Sequence, residues 1–324
     1  MNLVRMAILE AHGSSGWDVI KRLRNRGEQR FGSWPSVWRV LIAETERSRP
    51  MGLPDAWHFE PVGEPLSRLY QQRAALGLPE QYTCLPQEFW VDTYEGAQKL
   101  PAAAAICYAL HSRQLNQARE TALNYLFRSD ECIVNTQKFI DSSKQRVQVE
   151  PDNLLVVLCA SAGGSTGHAG ILNSLDYWLS HDYRPRIVIL LIGPECGTSE
   201  DGHRTERANA LRLLASIQHR AAQGEVWPFI LDGTLQERER ILEAASQFLW
   251  SLLAGREDAN MIRQLVNGFG IASRVEGGKP PRIWCQLDVY CESVDAHRLL
   301  RLQAAIALKE AISKEVLPSN DTRA

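Results

Sequence analysis

Two runs in the middle of the chain are apolar at almost every position. They read LLVVLCA (154–160) and RIVILLI (186–192). A strand with one face in water alternates apolar and polar residues, whereas a strand covered on both faces is apolar throughout. The two runs therefore predict central strands of a parallel sheet with helices on both of its faces.

Shorter apolar runs alternate with helical stripes along most of the chain. The further predicted strands cover residues 4–9, 38–43, 227–231, 269–275 and 283–290. Between strands, apolar residues recur at spacings of three and four, which is typical of helices packed on a core; one such stripe is Ile241, Ala244, Ala245, Phe248 and Leu252. The alternation predicts an α/β, Rossmann-like fold with a mainly parallel sheet. Residues 50–86 contain six prolines and predict a loop-rich excursion rather than regular sheet.

Composition excludes several classes of protein. The formal net charge of -2 lacks the basic surplus of a nucleic-acid-binding protein, so no nucleic-acid partner is predicted. No apolar run approaches the ~18 residues that a membrane span needs. The seven cysteines form no CxxC pair, which favours a reduced, cytoplasmic protein. The histidines form no ligand-spaced pair, so no metal centre built from protein ligands is predicted.

Two predicted strands are followed by loops rich in glycine and hydroxyl residues. These loops are HGSSG (12–16) and SAGGSTG (161–167), and each leads directly into a predicted helix. Glycines let the backbone approach an anion closely, and the free N–H groups of a helix start bind it. A polyphosphate site is one interpretation, and a tight strand-to-helix corner is the other. Walker A and GxGxxG patterns fit poorly, because the loops lack lysine and the nearest match begins with alanine.

In their order along the chain, these segments resemble the tubulin/FtsZ superfamily, and bacterial tubulin-like domain proteins most closely. GGSTGHA (163–169) is similar to the GGGTGSG phosphate loop of that superfamily. AHGSSGWDVIKRLRNR (11–26) resembles the opening loop and helix of the bacterial domains. Further similar segments are FGSWPSVWRVLIAETE (31–46), YEGAQKLPAAAAICYAL (94–110), RANALRLLASIQ (207–218) and WPFILDGT (227–234).

The resemblance implies a domain organisation, ligands and a partner. It implies a tubulin/FtsZ-like nucleotide-binding domain at 1–235, a central helix at 236–255, a reduced C-terminal subdomain at 256–318 and a disordered tail at 319–324. The implied ligands are GTP or GDP with Mg²⁺. The implied partner is the chain itself or a related tubulin-like subunit, assembled head to tail.

The resemblance also implies site residues. The expected nucleotide-binding residues are Gly13, Ser14, Ser15, Gly16, Thr45, Gly96, Ala97, Gln98, Gly163, Gly164, Ser165, Thr166, Gly167, Glu200, Arg204, Asn209 and Asp232. In the family, an acidic loop after the central helix completes the GTPase site of the next subunit. The candidates here are Glu257, Asp258 and Asn260, whose spacing departs from the NxDxxD pattern, so weak or no GTPase activity is expected.

Other departures concern the phosphate loop and its surroundings. Ser165, His168 and Ala169 replace small residues of the family signature. A serine held at positive φ costs roughly 1 kcal/mol, unless the turn has a different shape. Glu44 places an extra carboxylate near the phosphates, which requires a metal ion or a side chain turned away. Asp232 stands where the family has asparagine, and its carboxylate can accept hydrogen bonds from guanine.

Two alternatives remain from the sequence. The first is a tubulin-like scaffold that acts through protein partners without nucleotide. The second is a caspase-like cysteine peptidase, in which His12 and Cys159 at neighbouring strand ends form a base and a nucleophile.

Overall fold

The computed structural model describes residues 2–196, 203–221, 226–254 and 285–286. Seven strands form one sheet in the order β3-β2-β1-β4-β5-β6-β7, and every neighbouring pair is parallel. The predicted α/β class with a parallel sheet is therefore confirmed. The strands are β1 (Asn2–His12), β2 (Trp38–Glu44), β3 (His58–Pro61), β4 (Val147–Ser161), β5 (Arg186–Ile192), β6 (Val226–Leu231) and β7 (Cys285–Gln286).

Helices connect the strands and cover both faces of the sheet. They are α1 (Gly13–Phe31), α2 (Leu66–Leu69), α3 (Glu80–Thr83), α4 (Pro101–Leu110), α5 (Ser112–Arg128), α6 (Asp130–Ser142), α7 (Ser165–Ser180), α8 (His203–Ala221) and α9 (Arg238–Ala254). The crossover through α1 leads from β1 to β2, and that through α7 leads from β4 to β5, in the opposite direction along the sheet. Since crossovers are right-handed, α1 and α7 lie on opposite faces. None of the described helices is both long and apolar enough to span a bilayer.

The two apolar runs that predicted the fold form its centre. Every residue from Leu154 to Ala160 on β4 is at most 2% exposed, and Ile187–Ile192 on β5 is buried to the same degree. Because β4 and β5 have neighbouring strands on both sides and helices on both faces, an apolar residue at any position loses its contact with water. The pattern of burial therefore follows from the position of these strands in the sheet.

The proline-rich segment 50–86 contains one strand, contrary to the prediction. His58–Pro61 pairs with β2 and forms an edge of the sheet. Its four residues include one large apolar side chain, Phe59, so no apolar pattern marked it. Proline is tolerated in an edge strand because no second neighbour needs its N–H group. The rest of the segment consists of turns and the short helices α2 and α3, as expected for a loop-rich excursion.

Ion pairs join α1 to α9 along their length. Arg238 lies 3.4 Å from Asp18, Arg22 lies 2.5 Å from Glu239, and Arg26 pairs with Glu243. These contacts fix α9 against the helix that follows the first glycine loop. The predicted C-terminal subdomain and tail lie outside the described residues, apart from Cys285–Gln286, which pairs with β6. The domain boundaries stay predictions.

Candidate functional site

A cavity of about 340 Å³ opens at the carboxyl ends of the central strands. β1 and β4 are neighbours, and the chain leaves them in opposite directions along the sheet. Such a switch point leaves a crevice between the two departing loops, which is where ligands bind in open parallel sheets. Four segments line the cavity, namely residues 12–15, 44–46, 95–99 and, from the second glycine loop, 161 and 164–167.

Most of the residues expected to bind nucleotide meet at this cavity. They come from loops far apart in the sequence, and the parallel sheet brings the loops to one edge. The expected residues that line the cavity are Gly13, Ser14, Ser15, Thr45, Gly96, Ala97, Gln98, Gly164, Ser165, Thr166 and Gly167.

Two helices begin at the cavity without a side-chain cap. Helix α1 starts at Gly13 and α7 at Ser165, and neither N-cap residue makes a side-chain capping hydrogen bond. Neither helix has an acidic residue in its first turn. The first N–H groups of a helix have no partner within it, and its dipole places partial positive charge at this end. Two such ends at one cavity make a suitable site for an anion.

The floor of the cavity joins the two glycine loops to the end of β2. The hydroxyls of Thr45 and Thr166 are both buried and lie 2.8 Å apart. Gly13 has φ +78°, a backbone conformation that suits glycine, and an added Cβ there would lie 3.9 Å from Glu44 Oε2. The carboxylate of Glu44 therefore lies beside the first glycine loop, where an anion would bind.

Glu44 is in an unfavourable position for a lone carboxylate. Burial raises its pKa, although its Oε1 accepts a hydrogen bond of 2.8 Å from the Thr45 N–H, which acts in the opposite direction. Among the described residues no group of three or more His, Cys, Asp or Glu side chains forms a metal site. Mg²⁺ usually takes one or two carboxylates together with phosphate oxygens and water. Glu44 fits that kind of shared coordination.

Several expected residues lie behind the cavity rather than on its wall. An added Cβ on Gly16 would meet the Cys159 carbonyl oxygen at 2.3 Å, and one on Gly163 would meet Glu206 Cβ at 2.7 Å. These two glycines allow close packing of α1 against β4 and of the second loop against α8. They therefore act through packing and do not face the cavity.

The remaining expected residues lie near the cavity, at the surface, or beyond the described part of the chain. Asn209 is buried and donates hydrogen bonds to the carbonyls of Lys99 (3.2 Å) and Gly163 (3.3 Å). Asp232 follows β6 and accepts a hydrogen bond of 2.9 Å from the Gly233 N–H, and burial raises its pKa. Arg204 is exposed on α8. Outside the described residues are Glu200, Glu257, Asp258 and Asn260.

The second glycine loop avoids the strain that a serine could cause. None of the residues from Gly163 to Gly167 has a positive φ; Gly164 is extended at φ -78°, and Ser165 is the first residue of α7. The turn therefore has a shape that accepts Ser165. His168 faces away from the cavity and lines a separate one of about 680 Å³ between α4, α7 and α8, and Ala169 joins a buried apolar cluster.

Some residues on the cavity wall were not among those expected to bind nucleotide. They are His12, Glu44, Glu46, Glu95, Lys99 and Ser161. Five of them directly adjoin an expected position and Ser161 lies two positions before Gly163, so an examination of the positions flanking each motif would have included them.

A fully buried polar network lies directly beneath the cavity. Arg119 donates to both oxygens of Glu10, at 3.1 and 3.0 Å, and the Trp178 indole donates to the same carboxylate at 2.6 Å. Ser174 Oγ donates to Glu10 Oε2 at 2.6 Å. Arg119 holds the pKa of Glu10 well below its usual range, although burial opposes this. The network joins β1, α5 and α7 beneath the first glycine loop.

His12 links this network to the cavity as a neutral side chain. The single hydrogen of the Ser174 hydroxyl is donated to Glu10, so Ser174 Oγ accepts from His12 Nε2 at 3.0 Å. The Tyr108 hydroxyl lies 3.0 Å from His12 Nδ1 and 3.4 Å from the Ala43 carbonyl, and its single hydrogen goes to the nearer acceptor, so Nδ1 accepts. Burial lowers the pKa of His12, although Glu10 acts in the opposite direction. The tautomer with the proton on Nε2 satisfies both contacts.

These contacts argue against the peptidase alternative. The Cys159 side chain is 1% exposed, and burial raises the pKa of its thiol far above the usual range. A nucleophilic cysteine needs a lowered pKa and access to substrate. Among the described residues, His12 makes its hydrogen bonds to Ser174 and Tyr108 and none to Cys159.

The buried His12 should make the protein less stable in mild acid. As the pH falls, the unfolded chain binds a proton at this histidine near pH ~6.5, whereas the folded protein, with its lowered pKa, does not. Stability should therefore fall below that pH, by up to about 1.4 kcal/mol per pH unit from this one group. Urea unfolding of wild type and His12→Gln at a series of pH values measures the effect.

The substitution His12→Gln should flatten the pH dependence, because the amide can replace both hydrogen bonds without titrating. His219→Gln, at an exposed histidine on α8, is the matched control and should leave the slope as in wild type. Equal slopes for wild type and His12→Gln would contradict the assignment of a neutral, buried His12.

The fold and the site together define a class of protein. It is a doubly wound α/β protein, and two helix N-termini meet at a cavity at the switch point of its sheet. No protein-family model and no curated protein sequence matches the chain. Two similar solved structures are CetZ2 from Haloferax volcanii, as a GTPγS-bound protofilament, and TubZ of the Clostridium botulinum phage c-st. Both are tubulin/FtsZ-superfamily proteins, the family that the sequence motifs resemble.

These similarities are distant and concern the fold. For CetZ2 the identity is 15% and the TM-score 0.49, over 81% of this chain and 62% of that chain. For TubZ the identity is 12% and the TM-score 0.45, over 81% of this chain and 65% of that chain. The chain thus spans less than two thirds of the length of either structure. The bound GTPγS and the protofilament are properties of CetZ2.

Proposed function

We propose that this chain binds guanine nucleotide, GTP or GDP, in the cavity at the switch point. The observation that carries the proposal is that two uncapped helix N-termini, α1 and α7, meet at one cavity lined by glycine and hydroxyl residues. The phosphates bind to the loops 13–15 and 164–167, where helices α1 and α7 begin without a side-chain cap. Thr45 and Thr166 position these loops through their hydroxyl contact.

Mg²⁺ is the second proposed ligand, and Glu44 is the residue that contacts it. When bound, the cation neutralises phosphate charge and orients the phosphate chain. Glu44 would hold the cation through Oε2, which lies toward Gly13, since its Oε1 is already hydrogen-bonded to Thr45. A cation there would also offset the cost of a half-buried carboxylate beside an anion.

The base and ribose are assigned by the family resemblance. Asp232 follows β6 at the same carboxyl edge of the sheet as the cavity. Its carboxylate is proposed to accept hydrogen bonds from the N1 and N2 donors of guanine, which adenine lacks. Glu200 and Arg204 are proposed to contact the ribose and base. Asn209 supports the site from behind by holding two of its loops.

Head-to-tail self-association is the second part of the proposal. Ser14, Tyr94, Glu95 and Gln98 are exposed on or beside the wall of the cavity, so a second subunit can reach its opening. Glu257, Asp258 and Asn260 are proposed to face the nucleotide of the next subunit. Their spacing departs from the family pattern, so we expect GTP hydrolysis to be weak or missing.

Titration calorimetry of the pure protein with GTP, GDP and ATP, with and without Mg²⁺, tests nucleotide binding. We expect GTP to bind more tightly than ATP, and Mg²⁺ to strengthen the binding. If no nucleotide binds at millimolar concentration, the proposal fails and the nucleotide-independent scaffold is favoured.

Light scattering after addition of GTP tests assembly. A signal that stays at the monomer value at high protein concentration contradicts head-to-tail self-association.

The substitution Glu44→Gln should separate the effect of the metal ion from that of the carboxylate. Without Mg²⁺ the variant should bind GTP about tenfold more tightly than wild type, since one negative charge near the phosphates is removed. With Mg²⁺ the advantage should disappear, because the variant has lost a ligand for the cation. Glu88→Gln, at an exposed position away from the cavity, is the control. The same Mg²⁺ dependence in wild type and Glu44→Gln would contradict the role of Glu44.

A further inference from the structure

The cavity has an unequal distribution of charge. Glu44, Glu46 and Glu95 contribute three carboxylates to its lining. Among the described residues that line it, Lys99 is the one lysine or arginine. A nucleotide would add further negative charge, and helix N-termini supply only about half a positive charge each. Within the described lining, the ammonium of Lys99 is therefore the source of a full positive charge.

The backbone of Lys99 is fixed in place. Gln98 and Lys99 have φ values of +46° and +61°, in the left-handed region that residues with a Cβ rarely adopt. Such a conformation costs free energy and persists where the surrounding structure holds it. Here the Asn209 amide donates to the carbonyl of Lys99 at 3.2 Å and to that of Gly163 at 3.3 Å. Helix α8 therefore ties Lys99 to the second glycine loop.

The ammonium of Lys99, in contrast, is held weakly. Its Nζ lies 3.7 Å from Glu206 Oε1, within ion-pair range but beyond hydrogen-bond distance. The Lys99 side chain is 41% exposed, whereas that of Glu206 is 8% exposed. A lysine side chain has a flexible four-carbon stem, so its ammonium can move while its backbone stays fixed. Glu206 and Asn209 are three residues apart on α8, so the same helix contacts both ends of Lys99.

We propose that Lys99 is the cationic side chain that binds the nucleotide phosphates, and that it exchanges its ion pair with Glu206 for one with the phosphate. This inference rests on the proposed function, since it assigns a residue of the same cavity. The exchange moves a charge and leaves the loop backbone in place. It makes α8 sensitive to occupancy of the cavity, because Glu206 loses a cationic partner when the phosphates bind.

Four variants test the exchange: Lys99→Gln, Lys99→Arg, Glu206→Gln and the double variant Lys99→Gln with Glu206→Gln. Affinity for GTP with Mg²⁺ and for tripolyphosphate is measured by calorimetry, and thermal unfolding shows that each variant folds. Lys99→Gln should weaken the binding of both ligands about tenfold or more, as loss of a charged hydrogen bond predicts. Lys99→Arg should retain most of the affinity. Lys138→Gln, at an exposed lysine on α6, is the control.

Glu206→Gln gives the decisive comparison. When Lys99 is present, Glu206→Gln removes the competing carboxylate, so the affinity for the phosphates should rise. When Lys99 has been replaced by glutamine, Glu206→Gln should leave the affinity unchanged. Equal affinity of wild type and Lys99→Gln would overturn the role of Lys99 and leave nucleotide binding intact. An effect of Glu206→Gln that is the same in both backgrounds would overturn the exchange. If wild type binds neither ligand, the proposed function fails together with this inference.

Discussion

Replacing Arg119 with methionine should lower the free energy of unfolding by about 3–5 kcal/mol. Arg119 and Glu10 are both fully buried, and the guanidinium donates to each oxygen of the carboxylate. Without the arginine, Glu10 stays buried with its charge uncompensated, and burial of a lone carboxylate is far more costly than burial of a matched pair. Urea unfolding at neutral pH measures the loss.

Two further variants make this result specific. Arg113→Met changes an exposed arginine on the same helix, α5, and should alter stability by less than ~0.5 kcal/mol. Adding Glu10→Gln to Arg119→Met should recover part of the loss, because the uncompensated charge is removed while donors to position 10 remain. A loss below about 1 kcal/mol for Arg119→Met would show that the pair is not structurally important.

The substitutions Gly16→Ala and Gly167→Ala should each lower the free energy of unfolding by about 1–3 kcal/mol. Each added Cβ would meet a backbone carbonyl oxygen, at 2.3 Å from Cys159 for Gly16 and at 2.6 Å from Ser161 for Gly167. Both positions are helical, where alanine is ordinarily favoured over glycine by about 1 kcal/mol. The expected loss therefore has the opposite sign to helix propensity, and chemical denaturation measures it.

Gly164→Ala is the matched variant in the second loop. Its added Cβ would meet Ser161 Cβ at 3.5 Å, an ordinary contact, and its φ of -78° suits any residue. We expect wild-type stability and weaker GTP binding, because the phosphate must approach this backbone closely. If Gly16→Ala and Gly167→Ala are as stable as wild type, the packing role is wrong. If Gly164→Ala binds GTP as wild type does, this glycine has no part in the site.

Much of the fold could be predicted from the sequence because its central strands have an unambiguous pattern. Residues 154–160 and 186–192 are apolar throughout, and burial on both faces is the reason. The edge strand β3 was missed because an edge strand needs one neighbour and little apolar area, so four residues with mixed character suffice. β1 continues past the predicted end at residue 9, since Glu10 and His12 are polar but have buried partners on distant helices.

The candidate site could be predicted as a set of loops but not as a set of contacts. Glycines followed by a helix mark strand-end loops, so Gly13 and Gly164 were found. The same pattern also includes glycines that allow close packing of a helix on a strand, such as Gly16. The sequence alone does not distinguish a glycine that packs from a glycine that lines the cavity. Lys99 was missed because its importance depends on the three carboxylates around it, which come from two separate loops.

The side-chain amide of Asn209 ties together two of the loops around the cavity. With one nitrogen it holds the carbonyl of Lys99 in the loop 95–99 and that of Gly163 in the loop after β4. The relative position of these two loops thus depends on α8 as well as on the contact between Thr45 and Thr166. A residue at position 209 without two amide hydrogens would lose both contacts and loosen this tie between the loops. Helix α8 contributes none of the described residues that line the cavity, and yet a substitution on it can alter the shape of the space that a ligand enters.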